Sequence, residues 1–196
     1  MKKDLKDEIL QTAKHLFNRR GYRQVSMRNI ADALGISVGN LTYYYKRKED
    51  LVEAVIVHQH KTLHRRPAPE TLAELDAFFT GMLRHQKENE YYFRNYTELA
   101  HLSQSVYELQ RNMLHGLYHK IADGLENLHA AGMIQEDEIA HQRHLTLHAL
   151  MNVCIFGTAL EQRHRRATLW CLVYPLLSEK GRAVYRAEIE PGLTKN

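Results

Sequence analysis

Apolar residues recur at helical spacing along almost the whole chain, and this periodicity constrains the fold more than any other feature of the sequence. Ile9, Ala13, Leu16 and Phe17 show the pattern, since they fall at i, i+4, i+7 and i+8 and share one helix face. The alternating β-branched runs typical of strands are missing, and only 10 Gly and 4 Pro interrupt 196 residues. The sequence therefore predicts an all-α fold of about nine helices.

Breaks in the periodicity locate the helices and the domain boundary. Beyond the first three helices, we expect helices near 48–64, 70–88, 91–100, 103–131, 137–161 and 166–178. Pro67 and Pro69 end the helix that begins at 48. We therefore predict an N-terminal three-helix domain at 1–48, a connecting helix at 49–66, and a larger helical domain at 67–196.

Positive charge is concentrated in the N-terminal third. Residues 1–66 carry 14 Lys and Arg but 7 Asp and Glu, a net charge of +7. The remaining 13 basic and 16 acidic residues give −3. This asymmetry suits a polyanion-binding domain joined to a nearly neutral body, although a solvated basic surface has the same composition.

Two short helices near residues 26–45 are joined by a tight connection. Ser26 can cap the first, and Gly35 stands where a left-handed residue ends a helix. Ser37 then caps the second helix only two residues later. A short connection that contains glycine lets the second helix cross the first steeply, which is the geometry of a helix-turn-helix.

The outward face of the second short helix has an unusual composition. If this helix starts at Val38, Leu41 and Tyr45 point inward, and the outward residues are Val38, Gly39, Asn40, Thr42, Tyr43 and Tyr44. A solvated face usually carries Lys and Glu, whereas this face is uncharged. It suits a groove of DNA, where Asn40 can pair with adenine and Val38 or Tyr43 can touch a thymine methyl group.

Groups that can hold a phosphate backbone flank this face. They are Ser26 with the free N–H groups that open its helix, Arg28, Ser37, Lys46 and Lys48. From the start of its helix, Arg28 can reach either a phosphate or a guanine edge.

The stretch from Ile9 to Val55 resembles the DNA-binding domain of the TetR family of bacterial repressors. The matching elements are Ala13, Leu16 and Phe17, Gly21-Tyr22, Ser26, Ile30-Ala31, Gly35-Ile36-Ser37, Gly39-Asn40-Leu41, Tyr43, Lys46, Lys48 and Glu49. The resemblance implies a homodimeric repressor that sets one recognition helix per subunit into a palindromic operator and is released by a small-molecule ligand. Thr42 and Tyr44 depart from the Tyr and His that family members often have, so no operator sequence is carried over.

The C-terminal two-thirds carry weaker signals. Tyr91, Tyr92, Phe93 and Tyr96 form an aromatic cluster that either lines a ligand pocket or fills an ordinary helix core. The segments 137–161 and 166–178 have more apolar residues than one helix face holds. This excess is typical of helices that pack both on their own core and on a second subunit, so we predict a homodimer interface there.

Histidine is abundant, with 13 residues in the chain. His141, His144 and His148 fall at i, i+3 and i+7, and His115 and His119 form a second pair. Three imidazoles on one face can bind zinc or copper, but no Cys or carboxylate completes the set nearby in sequence. We therefore assign neither a metal site nor a cofactor, and we interpret these histidines as surface or interface residues.

Other classes of protein fit less well. The sequence lacks a phosphate-binding glycine loop, a nucleophile elbow and zinc-protease or Cys-x-x-Cys motifs, so no enzyme is expected. No secretory signal or membrane span is recognised, Cys154 and Cys171 are expected to be buried thiols, and a cytoplasmic location is predicted. We therefore predict a sequence-specific DNA-binding transcriptional regulator with a small-molecule effector. A non-specific architectural DNA-binding protein is the alternative.

Overall fold

The fold comes from a computed structural model that describes residues 5–60, 67–159 and 164–193. Within these residues the chain forms eleven α-helices and no strand, which confirms the all-α prediction. The helices are α1 (Leu5–Arg20), α2 (Met27–Leu34), α3 (Val38–Tyr44), α4 (Lys48–His60), α5 (Leu72–Glu88), α6 (Glu90–Arg94), α7 (Tyr96–Leu99), α8 (Gln104–Ala130), α9 (Gln142–Phe156), α10 (Arg165–Val173) and α11 (Glu179–Val184). None of the described helices is long and apolar enough to cross a membrane.

Two compact units divide the chain. The first contains described residues 5–60 and 88–112, and the second contains 67–87, 113–159 and 164–193. Residues 88–112, which the sequence places with the C-terminal domain, therefore pack with the N-terminal helices. The proposed functional division at 48 and 66 stays a prediction.

The core of the first unit forms around the apolar face of α1. Ile9, Ala13 and Phe17 of this face are fully buried, and α2 and α4 pack against it. The Phe17 ring also lies 5.4 Å from that of Tyr91, which belongs to α6. The predicted face of the first helix is thus the platform on which the other helices of the unit are assembled.

The predicted helix at 91–100 is two helices. Asn95 separates α6 from α7, and its side-chain amide donates to the Tyr91 carbonyl at 2.6 Å. This bond competes with regular helical pairing, a common effect of Asn side chains. The division, together with α11, accounts for the difference from the nine helices expected. The predicted end of the helix at 48–64 lies outside the described residues.

A charged network joins α5 to α10 in the second unit. Both oxygens of the Asp76 carboxylate accept from the Arg166 guanidinium, each at 2.7 Å, and Oδ1 also accepts from the Trp170 indole N–H at 2.8 Å. Trp170 is fully buried, and its ring lies 5.9 Å from that of Phe79. The network therefore satisfies a buried donor and fixes α10 on α5.

The helix predicted at 137–161 begins later, at Gln142. Residues before it are held by tertiary contacts, since the Gln135 amide donates to the Leu176 carbonyl at 2.9 Å. His141 precedes the helix with a left-handed φ of 63°. The prediction that His141, His144 and His148 share one helical face is therefore wrong.

The helix predicted at 166–178 ends as an α-helix at Val173 and continues as a 3-10 turn from Tyr174 to Leu176. Pro175 lies in that turn, and its missing N–H explains the change. The two cysteines differ: Cys154 is buried, and burial raises the pKa of its thiol to about 12, whereas Cys171 is exposed. The expectation that both thiols are buried is wrong for Cys171.

The Asp76 network yields a stability prediction. Asp76→Asn removes the charge and leaves the Arg166 guanidinium and the Trp170 N–H short of an acceptor, so we expect the free energy of unfolding to fall by roughly 2–3 kcal/mol. Urea denaturation monitored by circular dichroism measures it. Asp123→Asn, at an exposed position on α8, is the matched control, and an equal loss in both variants would contradict this role of the network.

Candidate nucleic-acid interface

A reciprocal cap fixes the start of α2. The backbone N–H of Asn29 donates to Ser26 Oγ at 3.1 Å, and the backbone N–H of Ser26 donates to Asn29 Oδ1 at 2.9 Å. This capping box satisfies two backbone N–H groups that a helix N-terminus otherwise leaves open. Ser26 and Arg28 are both exposed at this end of α2, as the sequence predicts for groups that meet a backbone phosphate.

The connection between α2 and α3 follows the geometry expected from the sequence. Gly35 has a left-handed φ of 66°, and its amide and that of Ile36 pair with carbonyls of the last turn of α2. Ser37 Oγ then accepts from the backbone N–H of Asn40 at 3.1 Å and caps α3. The left-handed conformation favours glycine, which explains why Gly35 ends α2.

Helix α3 is anchored from one side. Leu41 is fully buried and Tyr45, which follows the helix, is nearly so. On the other side Val38 is 40%, Tyr43 84% and Tyr44 37% exposed, and Gly39 and Asn40 are exposed as well. The inward and outward residues of the predicted recognition helix therefore lie where the sequence places them.

Local bonds shape this outward face. The Tyr43 and Tyr44 rings pack edge to face with centroids 5.4 Å apart, so each limits the movement of the other. The Thr42 hydroxyl donates to the Gly39 carbonyl at 3.0 Å, and Thr42 is only half-exposed. Its proton is thus engaged within α3, which leaves an oxygen lone pair and a methyl group for an outside contact.

The basic residues near α3 differ in their burial and in their contacts with the rest of the domain. Lys46 is exposed, whereas Lys48 is half-buried and donates to the Arg23 carbonyl at 3.1 Å. Its ammonium also lies 5.8 Å from the centroid of the Tyr22 ring, and partial burial lowers its pKa. Lys48 therefore braces the turn between α1 and α2, and its predicted contact with DNA stays a prediction.

Sequence reasoning missed the residues that brace this turn. Glu98 of α7 accepts from the Tyr22 hydroxyl, and its carboxylate pairs with the Arg23 guanidinium at 2.7 Å. Beyond α3, Asp50 accepts from the Arg47 amide and pairs with its side chain at 2.8 Å. The hydrogen bond from Arg47 lowers the pKa of the Asp50 carboxyl. The Arg47–Asp50 spacing signals such a pair, but no local pattern connects Tyr22 with Glu98.

The predicted aromatic cluster is buried. The Tyr92 ring packs against those of Phe93 and Tyr96, and the Tyr91 ring packs against Phe17 of α1. Burial raises the pKa of Tyr91 and Tyr92 and brings that of Tyr96 to about 12. The Tyr91 hydroxyl donates to Gln59 Oε1 at 3.0 Å. This packing favours the core interpretation, and ligand binding at these residues stays a prediction.

A capped helix, a left-handed glycine turn and a second capped helix with an exposed outer face define a helix-turn-helix protein. Residues 9–55 match the family model described as "Bacterial regulatory proteins, tetR family". Residues 9–55 are therefore similar to the DNA-binding segment of the TetR family, which confirms the resemblance predicted from the sequence.

A curated relative matches one segment of the chain. The chain is 43% identical over 51 residues to the HTH-type transcriptional repressor KstR2 of Mycolicibacterium smegmatis, a match that covers 26% of this chain and 25% of that protein. The chain thus spans about a quarter of the length of this relative.

The fold as a whole is similar to a crystal structure of a TetR-family transcriptional regulator from Marinobacter aquaeolei VT8, with a TM-score of 0.82, 20% identity, and coverage of 96% of this chain and 98% of that one. It is also similar to the crystal structure of a gamma-butyrolactone receptor, an ArpA-like protein, with a TM-score of 0.71, 20% identity, and coverage of 97% and 96%. At these identities the likeness shows the fold.

The capping box at Ser26 generates a local stability prediction. Ser26→Ala removes the acceptor for the Asn29 amide, so we expect the free energy of unfolding to fall by about 1 kcal/mol. Urea denaturation measures the change. The control is Ser105→Ala, at an exposed position in the first turn of α8. A Ser26→Ala variant as stable as the control would show that the cap contributes nothing.

Proposed function

We propose that this protein is a homodimeric, sequence-specific DNA-binding transcriptional regulator that places α3 in the major groove and acts as a repressor released by a small molecule. The observation that carries the proposal is the outward face of α3. This face is largely exposed and uncharged, and it lies on a helix that begins at the Ser37 cap and follows α2, which Ser26 caps.

The chemistry of that face suits base edges. The Asn40 side chain offers a donor and an acceptor, the pair that recognises adenine N7 and N6. Val38 and the Tyr43 ring supply apolar surface for a thymine methyl group. At Gly39 an added Cβ would meet only Ser37 Oγ, at 3.8 Å, so the fold itself leaves room for a side chain. Absence of a side chain there permits close approach to DNA.

Phosphate contacts on either side would set the position of α3. The opening turn of α2 presents Ser26 and Arg28, and Lys46 follows α3 at an exposed position. Such contacts supply affinity without sequence information, so we assign specificity to α3 and orientation to these flanking groups. The net charge of +7 over residues 1–66 adds long-range attraction to DNA.

Dimerisation is proposed through α9 and α10. Leu145 is 57% and Phe156 is 49% exposed, and their spacing of eleven residues places them on the same face of α9, three turns apart. Exposed Cys171 adds apolar surface on α10. Large exposed apolar side chains on one helix face are typical of interfaces, and two helices from each subunit would form a four-helix contact.

Release by an effector is supported by the bonds between the 88–99 segment and the DNA-binding helices. Asn18 of α1 donates to the Glu88 carbonyl at 2.8 Å and accepts from the Tyr91 amide at 3.0 Å. Glu98 holds the turn after α1. A ligand that displaces this segment would therefore move α1, and it needs a preference of about 5.5 kcal/mol for the released state to switch the population almost completely.

The test of specific DNA binding is selection from a random duplex pool at about 150 mM salt, followed by sequencing of the bound fraction. We expect enrichment of one two-fold symmetric sequence. Tyr43→Ala should lower affinity for that sequence by roughly 5- to 150-fold and leave affinity for random DNA unchanged, because a good base contact contributes about 1–3 kcal/mol.

Tyr107→Ala is the control, since Tyr107 is also exposed in the first unit but lies on α8. Equal losses on every DNA for Tyr43→Ala would contradict base recognition by α3. Salt-sensitive binding without enrichment of any sequence would favour the architectural alternative.

The proposed interface yields a second prediction. Leu145→Glu places a charge in the apolar contact, so we expect a monomer with greatly weakened binding to the symmetric site. Analytical ultracentrifugation gives the mass, and fluorescence anisotropy gives the affinity. Ile139→Glu, at an exposed position before α9, is the control. A Leu145→Glu variant that stays dimeric would exclude this face from the interface.

A further inference from the structure

Two pairs of histidines stand at i, i+4 spacing in the second unit, one on α8 and one on α9. His115 and His119 have Nε2 atoms 3.2 Å apart, and His144 and His148 have Nε2 atoms 3.0 Å apart. Tyr118 lies between the pairs, with ring centroids 5.5 Å from His119 and 6.0 Å from His148. Tyr118 therefore separates the two pairs, and in each pair the two Nε2 atoms lie close together.

We propose that His144 and His148 form a two-ligand binding site for a borderline divalent cation of the zinc or copper class. Imidazole nitrogen is a preferred ligand of these metals, and both side chains are exposed, so a hydrated cation can reach them. Within the described residues no group of three or more His, Cys, Asp or Glu side chains is arranged to hold a metal. We therefore assign the remaining coordination positions to water molecules.

The distance between the two nitrogens fits one metal ion. Zinc binds imidazole at about 2.0–2.1 Å, so two nitrogens on a tetrahedral zinc lie roughly 3.3 Å apart. Nε2 of His144 and Nε2 of His148 are 3.0 Å apart, so they need to move apart by only about 0.3 Å to bind one zinc ion. Small rotations of two exposed rings on one helix supply that movement.

Tyr118 orients the site from behind. Its hydroxyl lies 3.4 Å from Nδ1 of His144, the nitrogen that does not face His148. With the ring proton on Nδ1 donating to the Tyr118 oxygen, the Nε2 lone pair of His144 points toward the metal. Such a partner on the second nitrogen fixes the tautomer of a metal-binding histidine.

One ring proton must move when the cation binds. In the metal-free pair one Nε2 carries a proton and donates it to the other. With His144 held in the Nδ1–H form, that donor is His148. Binding requires its proton to move to Nδ1, which leaves both Nε2 lone pairs free for the metal.

The histidine pair on α8 can be compared with the pair on α9. His115 and His119 have nearly the same spacing and ring contact as the α9 pair, but the hydrogen bond to the Tyr118 oxygen comes from His144. The α9 pair is therefore the tighter of the two sites.

Isothermal titration of the full chain with Zn²⁺ tests the site. We expect the double variant His144→Gln with His148→Gln to lose one tight equivalent of zinc per chain, and the matched variant His115→Gln with His119→Gln to keep it. Tyr118→Phe should retain that equivalent with affinity weakened about tenfold, the low end of the cost of losing an outer partner.

Equal losses in the two double variants would overturn the assignment to the α9 pair, as would a full equivalent of tight zinc in the His144 and His148 variant. If that variant fails to fold, carbethoxylation of the wild-type chain decides the question. Zinc should then protect His144 and His148 from modification, and modification of both at the metal-free rate would overturn the proposal.

Discussion

Helix α3 has seven residues, far fewer than the roughly 12–15 that an isolated helix needs in water, so it exists only because the surrounding domain holds it. Buried Leu41 and Tyr45 supply packing from one side, and Ser37 supplies the cap. Because α3 packs on the domain through one face, the residues of its opposite face are not needed for folding. The proposed contact with DNA would account for uncharged residues such as Tyr43 and Asn40 at positions where solvent favours lysine or glutamate.

The platform under α3 extends beyond the N-terminal helices. Tyr91 of α6 packs on α1 and donates to Gln59 of α4, and Glu98 of α7 ties down the turn that follows α1. The segment that follows α5 therefore belongs to the same compact unit as α1 to α4. The proposed effector could therefore act on α1 directly. A displacement of α6 and α7 would break their hydrogen bonds to α1 and to the α1–α2 turn.

Local chemistry decided how much could be predicted from the sequence. The helix-turn-helix was predicted nearly residue by residue, because caps at Ser26 and Ser37 and the left-handed Gly35 act within a few residues. Elements set by distant contacts were predicted less well. The segment before α9 is paired through Gln135 with Leu176, 41 positions away, and the bond between Tyr22 and Glu98 joins residues 76 positions apart. Periodicity carries no information about such partners.

The most direct test of the central claim, that the outward face of α3 serves DNA and not the fold, is Gly39→Ala measured twice on the same protein. Space around Gly39 accepts a methyl group, and alanine favours helix over glycine by about 0.5–1 kcal/mol. We predict an unfolding free energy equal to or above that of the wild-type chain, together with affinity for the selected symmetric DNA reduced at least tenfold. Unchanged affinity, or a loss of affinity matched by a loss of stability, would contradict the account.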